Sequence, residues 1–148
     1  MYNRKKELSK CIVLALLIIL LIIFNIFVFI VGPNNQHKSK IIQLQNELDI
    51  QYNTKTSFYN TYNLEESSYN FIDENHIYIV NEQLYIINKD DIDYNFYKQV
   101  AVSNSMTDYI FNYGSYRKNP VIAIVDDNYE YVYDIHTKDL IFKYERKL

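Results

Sequence analysis

The apolar residues of this chain change their spacing as it proceeds, and each spacing predicts a different element. From Ile12 to Val31 the chain reads IVLALLIILLIIFNIFVFIV, with no charged residue. A helix apolar on every face has no side to offer water. These twenty residues, at a rise of ~1.5 Å each, reach ~30 Å, the thickness of a hydrocarbon core. A transmembrane helix is predicted over 12–31. Gly32-Pro33-Asn34-Asn35 predicts its end, because proline lacks the N–H needed to continue. Beyond it, Ile41, Leu44 and Leu48 recur at i, i+3 and i+7, which predicts a helix over 36–52 with one apolar stripe. That stripe is expected to pack on a sheet. Three apolar positions are too few to define a coiled-coil heptad.

From residue 55 the period shortens to two. KTSFYNTYN alternates loosely, and HIYIVNEQLYIIN over 76–88 reads as two strands around a tight turn at Asn81-Glu82. Asp90, Asp91 and Asp93 break the pattern and can cap a helix. Ile92, Phe96 and Val100 then fall at helical spacing within 91–106. Strands are expected at 108–116, 121–125 and 129–135, and a last one in LIFKY, with turns at Asp126-Asp127-Asn128 and His136-Thr137-Lys138-Asp139. The order is helix then strands, twice over. The predicted fold class is α+β: a single N-terminal transmembrane helix followed by two small helix-plus-antiparallel-sheet modules, at 34–89 and 90–148. Neither is large enough to be very stable alone.

Charge orients the anchor. Arg4, Lys5, Lys6 and Lys10 precede the span against Glu7. Basic residues stay on the cytoplasmic side, so 1–11 is expected inside and 34–148 outside. The apolar run is longer than a cleaved signal's and lacks a small-x-small site, so an uncleaved, single-pass signal anchor is expected. Removing those five residues from totals of 15 basic and 18 acidic leaves 11 and 17, about −6 outside. That opposes nucleic-acid and polybasic lipid contacts. The one cysteine, Cys11, lies at the inner boundary, so the outer part must hold together by packing rather than a disulfide. The richness in Ile, Asn, Tyr and Lys resembles the product of an AT-rich genome, and some Asn and Tyr choices then follow codons.

Catalytic chemistry finds no footing. His37, His76 and His136 are isolated, and no histidine or cysteine pair has zinc-ligand spacing. His76 after Asp73-Glu74-Asn75 reads as a polar strand-edge turn rather than a metal site. Asp126-Asp127-Asn128 begins like a calcium loop but lacks its glycine and distal glutamate. Ser67, Ser68, Ser103 and Ser105 have no nearby Lys or His to activate them. Two glycines in the entire chain leave no glycine-rich phosphate loop. The expectation is therefore a non-enzyme, with no catalytic residue, cofactor or metal.

The tyrosines remain. In 129–135 one strand face carries Tyr129, Tyr131, Tyr133 and Ile135, and the other Glu130, Val132 and Asp134. A sheet packed on one side and open on the other gives this pattern, so the tyrosine face is expected in the core. A stacking platform for a saccharide or peptide is the alternative. The mixed face, Glu130, Val132 and Asp134, is then the candidate partner surface. Asn25, the one polar side chain inside the span, is a candidate contact to a partner helix.

Pro120-Val121-Ile122-Ala123-Ile124-Val125, leading through Tyr129-Glu130-Tyr131-Val132-Tyr133-Asp134-Ile135 to Thr137-Lys138-Asp139-Leu140-Ile141, resembles the closing strand–turn–strand of the TseB-like proteins of Firmicutes. There "P-V-W-x-V" precedes a tyrosine-rich strand and "D-x-x-T-G-x-I". Tyr78-Ile79-Val80 with Leu84-Tyr85-Ile86-Ile87 is similar to that family's first sheet. Ile122 replaces its tryptophan, Lys138 its turn glycine, and the second helix lacks its alanine- and lysine-rich pattern. The resemblance implies two PepSY-like (cystatin-like) modules outside the cell membrane and a role in cell-wall elongation and cell shape. It also implies contact with a penicillin-binding transpeptidase or another wall-synthesis protein. The alternative is an anchored PepSY-like module that binds or inhibits a peptide, glycan or protease.

Overall fold

The computed structural model describes residues 2–146, with side chains from 13 onward except Ile30. The chain divides into two compact units, Met1–Leu44 and Gln45–Leu148. The first is helical. Helix α1 runs from Tyr2 to Ile26, a π-helical turn covers Phe27–Val31, and α2 runs from Gly32 to Tyr52. Val13 to Phe29 expose their side chains, and this is the one helix among the described residues long and apolar enough to cross a membrane.

The predicted stop at Gly32-Pro33 is corrected by the structure, since the helix passes it. The N–H of Gly32 bonds the carbonyl of Phe27, five residues back. This wider turn accommodates the proline ring that an α-helical turn would force against the carbonyl four residues earlier. The real terminus is Tyr52. Asn53 takes a left-handed backbone, φ 50°, and the N–H of Thr54 returns to the carbonyl of Asp49 at 3.2 Å, the geometry of a Schellman cap. Along the expected stripe Leu48 is buried and Ile41 and Leu44 are half-buried.

The second unit holds two antiparallel four-stranded meanders. Sheet A is β1 (Ser57–Asn63), β2 (Ser67–Ile72), β3 (His76–Val80) and β4 (Leu84–Asn88), paired in that order. Sheet B is β5 (Ile110–Tyr116), β6 (Asn119–Val125), β7 (Tyr129–Asp134) and β8 (Leu140–Glu145), likewise in order. Between them lie a 3₁₀ turn at Lys89–Asp91 and helix α3, Tyr94–Ser103. Asp93 caps α3 by accepting from the N–H of Phe96 at 3.1 Å. Strand β2 was not among the strands expected from sequence: Asn70 is unfavourable in a strand and interrupts the β-favouring Tyr69, Phe71 and Ile72. It forms because Phe71 is buried and both its neighbours pair with it.

One core joins both sheets to α3. It contains Ile77, Ile79 and Ile87 of sheet A, Tyr97 and Ala101 of α3, and Tyr113, Ile122, Ile124, Tyr131 and Tyr133 of sheet B. The tyrosine face of β7 is thus a core wall, as expected. The buried line of α3 is Tyr97 and Ala101, one position round from the predicted Ile92–Phe96–Val100 line. Phe96 and Val100 only flank it, while Ile92 precedes the helix and is buried.

The other face of sheet B is also covered, which corrects the expectation of an open side. Val121, Ala123, Val125 and Val132 pack there with Tyr62 from the distant strand β1, and Ile141 and Phe142 of β8 close over them. Gly114 makes this possible. A Cβ at that position would sit 2.7 Å from the Tyr62 ring carbon Cδ1, inside ordinary carbon contact of ~3.5–4.0 Å.

Three asparagines stitch the sheets together. Asn70, fully buried, donates to the Asn60 side-chain oxygen at 2.8 Å and to the Tyr113 carbonyl at 2.7 Å. Asn60 donates to Asn112 at 2.7 Å. Inside a low-dielectric seam these donated bonds link the two sheets, although the Asn70 side-chain oxygen is itself buried without a partner among the described residues.

Candidate functional site

The residues singled out from sequence occupy separate structural roles. Asn25 donates to the carbonyl of Leu21 at 2.8 Å, within its own helix. Glu130 is half-buried and accepts from the hydroxyl of Tyr62. Burial, then that hydrogen bond, push the Tyr62 phenol far above its ordinary pKa, so it stays a neutral donor. Val132 has no exposed surface, so the candidate surface built on it does not exist as an open face. Asp134 accepts from the N–H groups of His136 and Thr137, both at 2.9 Å, and shapes the β7–β8 turn.

Asp73 is also a structural carboxylate. It receives the hydroxyls of Tyr78 at 2.7 Å and Thr54 at 2.9 Å, and the N–H groups of Asn75 and His76 at 2.8 and 2.6 Å. Burial alone would raise its pKa, but these bonds outweigh burial and hold it well below the ordinary carboxylate value. Asp126 likewise accepts from the N–H of Asn128 and Tyr129 at 2.8 and 2.6 Å. The expected polar turns at both sites are therefore observed. Among the described residues no cluster of three His, Cys, Asp or Glu could hold a metal.

What the sequence did not disclose is a cleft where the turns of three hairpins converge. Its walls come from the β1–β2 turn (Glu65, Glu66), the β3–β4 turn (Asn81, Glu82, Gln83) and the β5–β6 turn (Arg117, Lys118), and its volume is about 170 Å³. The β3–β4 turn has three residues rather than the two expected, because Val80 pairs with Leu84. The side chain of Asn81 closes it by accepting from the N–H of Gln83 at 2.8 Å. In the β5–β6 turn, Arg117 and Lys118 both take left-handed backbones, φ 48° and 64°, between the paired residues Tyr116 and Asn119. A two-residue hairpin of this hand demands that geometry and usually recruits Asn or Gly.

Two side-chain bonds tie the turns together. Glu65 accepts from the N–H of Arg117 at 2.8 Å, and Asn81 donates to the hydroxyl of Ser115. On one wall Tyr85 donates to the side chain of Gln83 at 2.6 Å. Burial and then the charge of Glu66 raise the Tyr85 pKa, so this phenol too remains neutral. No signal short of the pairing of β1–β2, β3–β4 and β5–β6 could have found this cleft, since its residues span positions 65 to 118.

No family model, curated protein or solved structure matches this chain.

Proposed function

We propose that this chain is a non-catalytic regulator of cell-wall synthesis that acts through protein contact. Its N-terminal helix holds it at the cell membrane with residues 1–11 inside, and the following α+β part works outside. The observation that carries this reading is the order of elements: a helix of membrane length that continues without a break into α2, then a four-stranded meander, helix α3 and a second four-stranded meander. That is the organisation implied by the resemblance to TseB-like proteins and their PepSY-like modules. A conformational detail supports it. Lys138 stands where that pattern has a turn glycine, and its backbone is left-handed, φ 64°, the conformation for which glycine is ordinarily chosen.

With Val132 inside, the contact surface moves to β8. It is one of the two outer strands of sheet B, and Leu140 and Tyr144 on it are about half exposed. An outer strand offers unpaired backbone groups to a partner strand. Confinement to the membrane raises the effective concentration of a partner anchored beside it, so a modest edge contact is sufficient. The proposed partner is a penicillin-binding transpeptidase.

The test is photocrosslinking in intact membranes from position 144 of the full-length chain, followed by mass spectrometry. Recovery of a transpeptidase or of its elongation partners is the expected result. Recovery of a peptidase instead would replace the regulator by an anchored inhibitor. Normal cell width and unchanged β-lactam sensitivity in a deletion strain would count against any role in wall synthesis.

A further inference from the structure

Each meander has two outer strands, and three of these four are guarded against pairing with a copy of themselves. β1 and β5 face one another across the seam, where the Tyr59 hydroxyl donates to the carbonyl of Phe111 at 2.8 Å and Asn60 donates to Asn112 at 2.7 Å. β8 carries Lys143 and Glu145, which select a partner of complementary charge, and its pairing with β7 is bulged at Val132/Tyr133. β4 has none of these devices. Leu84-Tyr85-Ile86-Ile87-Asn88 contains no charge and no proline, and its register with β3 runs unbroken from Val80–Leu84 to His76–Asn88. The nearest cation is turned away, because the Lys89 ammonium bonds the carbonyls of Asp73 and Glu74. Leu84 is 36% exposed and Ile86 41%. Alternate residues of an outer strand direct N–H and C=O away from the sheet. Among the described residues, Leu84 to Ile87 make no backbone hydrogen bond beyond those to β3.

We propose that β4 is a self-association edge on which a second copy of this chain pairs, strand against antiparallel strand, about a two-fold axis through Ile86. Such a contact is isologous, so one edge serves both copies. Centring it on Ile86 pairs the complete strand. Ile86 then faces its own copy and Leu84 faces Asn88 on the outer side of the sheet, while Tyr85 faces Ile87 on the core side. Aromatic with β-branched and apolar with apolar are favourable cross-strand pairs. No charge enters the pairing. The chain leaves the strand at the Asn81–Gln83 turn and at the Lys89–Asp91 turn, which put Glu82 and Asp90 outside it. A different protein would need charge or a pocket to be selected, and β4 offers no charge to select one, whereas it complements itself in this register. The guarded edges leave the pair nowhere to grow, so the contact closes at two copies. Five residues span about 17 Å, a smaller contact than the ~1,200–2,000 Å² of stable interfaces. Confinement to one membrane supplies affinity by raising the effective concentration of the copies. That last step rests on the membrane reading, and the pairing itself uses neither it nor the β8 contact.

The test is disulfide trapping of the full-length protein in a Cys11→Ser background, in proteoliposomes and in detergent micelles. Ile86→Cys puts a thiol on the axis, opposite its own copy. Val102→Cys, at a side chain 72% exposed on α3, reports random collision. Under mild oxidation in liposomes Ile86→Cys should link at least about tenfold faster than Val102→Cys, since pairing brings its thiols to millimolar effective concentration. Leu84→Cys mixed with Asn88→Cys should link as a heterodimer, while each alone links at the collision rate. Adding Ile86→Lys to both members of that mixture sets two ammonium groups face to face and should return it to the collision rate. Circular dichroism verifies that each variant is folded. Ile86→Cys linking no faster than Val102→Cys in either medium would overturn the proposal, as would fast linking of Leu84→Cys to itself. A photocrosslink from position 86 in native membranes that captures only other proteins would overturn the second copy as occupant. A chain that fails to enter liposomes would refute the anchor, and the micelle arm would then decide the pairing by the same comparison.

Discussion

Gly114→Ala isolates the close approach of β1 to sheet B. Gly114 has no positive φ, so alanine meets no backbone penalty there and the whole effect is steric. Its Cβ would lie 2.7 Å from Cδ1 and 3.1 Å from Cε1 of Tyr62, closer by roughly 1 Å than relaxed carbon contact. Neither side can yield easily. Gly114 is mid-strand, paired with Val121, and the Tyr62 ring is packed among Val121, Ala123, Val125 and Val132, with its hydroxyl held by Glu130. Overpacking of this kind costs ~1–3 kcal/mol, and the lower entropy of the unfolded alanine chain returns ~0.4–1 kcal/mol. The expected net loss is about 1–2 kcal/mol, a melting temperature lower by roughly 5–15 °C for a unit of this size. Thermal unfolding followed by near-ultraviolet circular dichroism measures it on the full chain in micelles. The decisive control is the Tyr62→Ala background, which is itself destabilised but offers no ring to strike. There Gly114→Ala should become neutral or slightly stabilising. The same loss in both backgrounds would refute the steric account.

Further expectations follow from the carboxylates, the seam and the last turn. Because Asp73 has a lowered pKa in the folded protein, its stabilisation is complete above the unfolded value of 3.8 and lost as pH falls below it. Asp73→Asn should therefore flatten the acid limb of the stability–pH curve in urea titrations, and an unchanged limb would show the carboxylate to be idle. Asn70→Ala strips the Tyr113 carbonyl and the Asn60 side chain of a buried donor, for an expected loss of ~1–3 kcal/mol in urea unfolding. A neutral result would mean that water takes over those bonds. Lys138→Gly should exceed Lys138→Ala in stability by ~1 kcal/mol, since both lose the contact to Asp93 at 2.7 Å and only glycine relieves the left-handed backbone. Equal urea midpoints would argue against strain at that turn.

Much of the architecture was written locally. A membrane-length helix requires only an unbroken apolar run, and strands β3 to β8 with their turns follow from period-two runs between polar breaks. The tyrosine face of β7 was legible as core because Tyr129, Tyr131, Tyr133 and Ile135 form one continuous face while Glu130, Val132 and Asp134 form a mixed one. Local pattern failed where the outcome depends on partners far along the chain. Pro33 reads as a stop unless a π turn precedes it, and nothing in its neighbours announces that turn. Strand β2 was given no element from sequence, and its Asn70 is bonded to the Tyr113 carbonyl 43 positions away. Asn60, Asn70 and Asn112 look like compositional bias and prove to be the bonded seam between the sheets.

The same division separates the candidate sites. Sequence alone determined the apolar helix of membrane length, the α+β class and the alternation of faces, because each depends on residues a few positions apart. Tertiary structure decided which faces are open. Glu130 and Val132 belong to the less apolar side of β7, yet Tyr62, 68 positions before Glu130, folds over that side and buries it. Tertiary structure also made the three-hairpin cleft, by setting glutamates of sheet A's turns opposite the basic turn of sheet B. Periodicity fixes the direction of a side chain from its strand, whereas exposure and charge pairing depend on what the rest of the chain lays against it.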